Sequence, residues 1–101
     1  MAITIRRVPG ERRTVVVITT GDVSAAAVLS LRRALAKTLP AGVPILVDLR
    51  QATSIHPAGV AAIVAARRRA EQAGTSLLLN AEPAQIRPLL RAFGIRGDEP
   101  R

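Results

Sequence analysis

Two β-branched runs open the chain, ITIRRV over 3–8 and TVVVITT over 14–20, and the PGER segment between them carries the Pro and Gly of a tight turn. A β-hairpin is predicted. Gly21-Asp22-Val23-Ser24 then reads as a loop, with Ser24 placed to cap a helix. In that helix Val28, Leu31, Leu35 and Leu39 recur at helical spacing with Ala25 and Ala34 nearby, and Pro40 and Gly42 end it. PILVDLR, residues 44–50, is a short apolar run bounded by Pro44 and a polar loop, which predicts a buried strand ending there.

A second helix opens at Pro57, whose missing N–H costs nothing at a first helical position, and it packs through Val60, Ile63 and Val64. Arg67 to Arg69 and Glu71 lie toward its end, and Gly74 stops it. TSLLLN, residues 75–80, predicts a third interior strand. The last helix is expected from about Pro83, with Ile86, Leu89, Leu90 and Phe93 as its stripe and Gly94 as its end; Pro88, inside it, should kink or shorten the first turn. The polar tail, 96–101, is expected to fray.

The order strand, strand, helix, strand, helix, strand, helix predicts an α/β fold: a mixed, mainly parallel sheet of about four strands with an N-terminal hairpin and three or more helices. At 101 residues the elements share one core, so a single domain over 1–101 is expected, with its core over about 2–95. That core is aliphatic. Phe93 is the one aromatic residue, and Cys is absent, which removes disulfides, thiolate zinc sites and a thiol nucleophile. Charges begin at Arg6 and no apolar run approaches the roughly 18 residues of a membrane span, so a cytoplasmic protein without membrane insertion is expected.

The formal charge is +8, from 15 basic and 7 acidic residues, and 14 of the 15 are Arg. This raises nucleic-acid binding. The arginines, however, fall in small groups over every predicted element, and aromatic residues to stack on bases are all but missing. Solvated faces are the expected reading, and nucleic acid is not expected as a partner.

Catalytic inventory is thin. His56 is the single imidazole, so a zinc site lacks ligands, and no cofactor is expected. Ser54, His56 and Asp48 supply the residue types of a triad but not evidence of its geometry. Neither GxGxxG nor GxxxxGK[ST] occurs around Gly21 or Gly59. Asp48, at the expected strand end, is either a ligand residue or a cap for the loop that follows. No enzyme is expected.

GDVSAAAVLSLRRAL, PILVDLRQATSIHPAGVAAIVAARRRAEQAGTSLLLN and PAQIRPLLRAFGI, in that order and spacing, resemble the STAS domain of sulfate transporters and anti-sigma factor antagonists. The resemblance runs from about residue 2 to 95. In antagonists of that family the turn before the second helix reads Asp-Ser-Ser/Thr-Gly, and its second hydroxyl residue is phosphorylated by a partner that is both anti-sigma factor and kinase. Here the positions are His56, Pro57, Ala58 and Gly59, so the phosphoacceptor position holds a methyl group. The earlier pattern, Gly-Glu/Asp-Leu/Val-Asp, appears as Gly21, Asp22, Val23 and Ser24.

The resemblance implies a non-enzymatic protein-interaction module that lacks the phosphorylatable Ser/Thr and binds a kinase-like anti-sigma partner or related regulator. Its contact surface is expected at Gly21, Asp22, Ser24, Ser54, His56, Pro57, Ala58 and Gly59. The alternative is an accessory STAS subunit of an ABC transporter, docked on the transporter ATPase. Two lesser readings attach to the same corner: Thr53 or Ser54 as a displaced phosphoacceptor, and His56 as a charge switch, since imidazoles titrate near neutrality.

Overall fold

The computed structural model describes residues 2–8, 14–81, 84 and 87–92. Four strands, β1 (Ala2–Val8), β2 (Thr14–Val23), β3 (Ile45–Ile55) and β4 (Leu77–Asn80), form one sheet in the order β1-β2-β3-β4. Three α-helices accompany it: α1 (Val28–Thr38), α2 (Pro57–Gln72) and α3 (Arg87–Ala92). β1 pairs antiparallel with β2 from Ala2↔Thr20 to Val8↔Thr14, while β2–β3 and β3–β4 are parallel. The predicted fold class is the observed one. The PGER turn, Pro83, Ile86, Phe93, Gly94 and the tail 96–101 lie outside the described residues.

Both parallel connections step the same way across the sheet. With the usual right-handed crossover they put α1 and α2 on one face, where the two helices pack on each other. The core between them is aliphatic, led by Leu31, Leu35, Ile45, Leu49, Ile63, Leu77 and Leu79. Each such side chain contributes roughly 1.5–3 kcal/mol by leaving water. α2 buries small residues, Gly59, Ala62, Ala66 and Ala70, beside Val60 and Ile63.

Helix ends follow the local chemistry. Gly74 takes φ +77°, Gly74 N–H bonds Glu71 O at 3.1 Å, and Thr75 N–H bonds Ala70 O at 2.9 Å, the paired bonds of a left-handed helix stop. Pro57 is the first residue of α2, as its ring predicts. Ser24 departs from expectation: its side chain makes no capping bond, and a short 3₁₀ turn, Ala25–Ala27, precedes α1, leaving Ala25 exposed. Pro88 is the second residue of the described α3, where it has no helical hydrogen bond to remove.

The larger departure concerns the strands. β2 runs through the expected loop to Val23, and β3 continues past Arg50 to Ile55. Between the pairs Ile18↔Asp48 and Val23↔Ile55, β2 advances five residues and β3 seven. β3 therefore carries two one-residue bulges against β2, in the Ile18/Thr20 and Gly21/Asp22 intervals. Each bulge resets the in-out alternation. Ile45, Val47 and Leu49 are buried at period two, and Ala52 and Ile55 then follow at intervals of three, so the apolar residues stay on the helix side.

Asp48 sits beside the first bulge, inside β3 rather than at its end, and is 5% exposed. Its Oδ1 accepts the backbone N–H of Arg50 at 3.0 Å, and Arg50 Nη2 donates to Oδ2 at 2.9 Å. The carboxylate thus takes up a backbone donor in the bulged stretch, while Arg50, half exposed, supplies its counter-charge. The hydrogen bond from the Arg50 side chain outweighs burial and holds the Asp48 carboxyl below the usual aspartate value; the Arg50 backbone bond and charge add to this.

Removing this carboxylate strips the charge-assisted bonds, so Asp48→Ala is expected to cost about 1.5–3 kcal/mol of stability at neutral pH. Because the folded value lies below the unfolded one, the stabilisation is complete above about pH 4 and is lost as pH falls through the folded value. Urea melts of the protein and Asp48→Asn should therefore differ most near pH 7 and converge in acid; a gap that stays constant down to pH 2 would contradict the assignment.

Candidate functional site

Because β2 and β3 both outrun their predicted ends, the candidate residues meet at one corner of the sheet. Asp22 and Ser54 are register partners near the strand ends, followed by Val23 and Ile55. His56 N–H then bonds Val23 O at 2.8 Å, closing the ladder where the chain turns into α2. Gly21 takes φ +76° at the second bulge interval, a conformation that a side chain would resist.

Asp22 and Ser54 are exposed, and the Ser54 hydroxyl donates to the Asp22 carboxylate. That bond ties the tips of the two strands. Next to it, His56 is the N-cap of α2, and its Nδ1 accepts the Ala58 N–H at 3.0 Å. Imidazole does here what Ser, Asp or Asn usually does at a helix start, and only with Nδ1 unprotonated can it accept. His56 O accepts from Gly59 N–H at 2.8 Å and Val60 N–H at 3.3 Å, the first helical bonds.

His56, Pro57 and Ala58 are all exposed, so the Ala58 methyl stands on the surface of the first turn of α2. Gly59 differs from the other expected contact residues. It is buried, and a Cβ there would lie 3.1 Å from Ile55 Cγ1 and 3.5 Å from Val23 Cγ1. Without a side chain, it lets α2 close onto the ends of β2 and β3. Ser24 is half-buried, and its carbonyl accepts Ala27 N–H at 3.0 Å.

The geometry also decides between chemical alternatives. Asp48 is bound to Arg50, Ser54 to Asp22, and His56 Nδ1 to the backbone of Ala58, so the three residues do not form a relay. Among the described residues no group of three His, Cys, Asp or Glu side chains could hold a metal ion, and no helix is long and apolar enough to cross a membrane. Val23 and Ile55, which floor the corner under Gly59, were not among the expected residues. Their sequence signal is only one apolar residue on either side of polar stretches.

A family model described as Mlab, STAS domain matches residues 7–97. Solved structures share the fold. The anti-sigma factor antagonist SpoIIAA in its unphosphorylated form aligns with a TM-score of 0.75 at 18% identity, covering 91% of this chain and 82% of that one. The Bacillus cell fate determinant SpoIIAA in the phosphorylated form gives 0.70 at 18% identity, with 91% and 85% covered. An anti-sigma factor antagonist from Mycobacterium paratuberculosis gives 0.78 at 16% identity, with 92% and 79% covered. No curated protein sequence matches the chain.

The cap geometry sets an expected order of stabilities. His56→Ala should lose about 1 kcal/mol as the Ala58 N–H goes without its side-chain acceptor, whereas His56→Asp should keep the cap and add a favourable charge at the helix N-terminus. Thermal melts at pH 7 are expected to rank Asp at or above His and Ala below both; equal melting of the Ala variant would show that the imidazole carries no capping role.

Proposed function

The chain belongs to the STAS domain family, and from that membership we propose that it is a non-enzymatic protein-interaction module whose docking surface is the corner formed by Asp22, Ser54, His56, Pro57 and Ala58. The observation that carries this reading is the Ala58 methyl, exposed on the first turn of α2; the motif resemblance implies that antagonists carry their phosphorylatable hydroxyl at this position.

The physical consequence is a missing brake. A phosphoryl group at that turn would bring about −1.5 to −2 charge, enough to break a docked interface by repulsion and desolvation. Ala58 has no oxygen to receive it. Association therefore depends on the shape of the turn, which Pro57 stiffens and the His56 cap holds, and on the Asp22–Ser54 pair beside it. On this reading the protein is a constitutive counterpart of the unphosphorylated antagonist, acting in the cytoplasm on a kinase-like anti-sigma factor or related regulator.

The same methyl supports a second reading. A subunit that stays assembled has no use for phosphoryl-driven release, which suits an accessory protein seated on a transporter ATPase. Gly21 and Gly59 serve either reading by shaping the corner from beneath.

A photo-crosslinking amino acid placed at position 58 should couple the protein to one dominant partner, and that partner's identity separates the readings: an anti-sigma kinase for the first, an ABC-type ATPase for the second. Ala58→Glu, a charge without a fold cost at an exposed site, is expected to weaken binding of that partner at least tenfold by calorimetry, while Arg68→Gln leaves it within about twofold. Binding indifferent to Ala58→Glu would remove the corner from the interface. Incubation with the partner and ATP should add no phosphate to the peptide spanning 51–66 by intact-mass analysis; stoichiometric phosphate on Thr53 or Ser54 would replace the missing brake with a displaced one.

A further inference from the structure

Away from that corner, α1 and α2 flank an open groove of about 300 Å³. Arg32 and Arg33 on α1 and Arg69 on α2 stand around it. Its walls are made by Ala36, Ala62, Ala65 and Ala66. The alanines create the space: positions 36 and 65 are exposed, where a solvated helix face could carry long polar side chains, and such chains would fill the groove.

Among the described residues, no carboxylate pairs with these three guanidiniums. Among the described residues there are three acidic side chains, and each is engaged elsewhere: Asp22 with Ser54, Asp48 with Arg50, and Glu71 with Arg67. Like charges gathered around a concavity repel one another and focus a positive potential into it, a cost that a bound anion offsets. The volume lies at the lower end of small-ligand sites, about 300–1,000 Å³. Arginine forks match phosphate oxygens two at a time, and three positive charges balance the roughly three negative charges of a diphosphate near neutral pH. No aromatic ring lines the groove, so nothing in it would read a stacked base.

We propose that the α1–α2 groove binds a small anion through a diphosphate group. Arg32 and Arg33 hold it from α1 and Arg69 from α2, over a floor that alanine keeps open. This site is separate from the docking corner, and Ala58 does not line it.

The test is an NMR titration of the full chain with inorganic pyrophosphate at physiological salt. Saturable shifts are expected on the groove residues of α1 and α2, with a dissociation constant below about 1 mM. Arg32→Gln and Arg69→Gln should each weaken binding about tenfold or more. Ala65→Leu, which fills the groove without changing net charge, should weaken it as strongly, whereas Arg68→Gln, the same loss of charge outside the groove, and Ala58→Glu should leave it within about twofold. Shifts that fail to saturate, or an equal loss with Arg68→Gln, would mean diffuse counter-ion binding to a basic surface and would overturn the site. Citrate binding as tightly as pyrophosphate would overturn the assignment to phosphate. Nucleoside diphosphate and inorganic pyrophosphate are expected to bind alike, since the groove reads the phosphates.

Discussion

The corner of this domain rests on the parallel pairing of β2 with β3 beyond Ile18 and Asp48. Over that stretch β3 spends two more residues than β2, and each extra residue would turn the following side chains to the wrong face unless a bulge absorbed it. The sheet accommodates both. Asp48 takes up the Arg50 N–H beside the first bulge, and Gly21 provides the left-handed backbone at the second. Only because the pairing survives to Val23 and Ile55 does His56 N–H meet Val23 O and launch α2 from the end of the sheet.

Much of the polar chemistry at the corner is consumed in holding this shape. The Ser54 hydroxyl and Asp22 carboxylate satisfy one another across the strand ends, and His56 spends Nδ1 on the first turn of the helix. The imidazole caps the helix, and the neighbouring residue 58 presents only a methyl group to solvent. The helix start does not depend on the side chain of residue 58, because the backbone donors there are met by His56.

Charge is distributed by the same logic of position. Arg67 faces Glu71 one helical turn away, and Arg50 lies against Asp48, so these cations are spent on local neighbours. Arg32, Arg33 and Arg69 come together only because α1 packs beside α2 with alanines between them. Along the sequence they are two unremarkable Arg groups, more than thirty residues apart, indistinguishable from the solvated clusters elsewhere in the chain.

Element order, the stops at Gly42 and Gly74 and the start at Pro57 were determined by the sequence alone, since each depends on local pattern or on one residue's own backbone preference. Resemblance of motif order carried the family as well. The strand ends were not legible, because QATSI breaks period-two alternation and reads as a loop until β2 supplies the register that makes its buried residues Ala52 and Ile55 coherent. Nor was the placement of Asp48 within a strand, the burial of Gly59 against Ile55, or the gathering of arginines between two helices. Each of these is a relation between segments distant in the chain, and it acquires a physical meaning only when packing has fixed which face meets which.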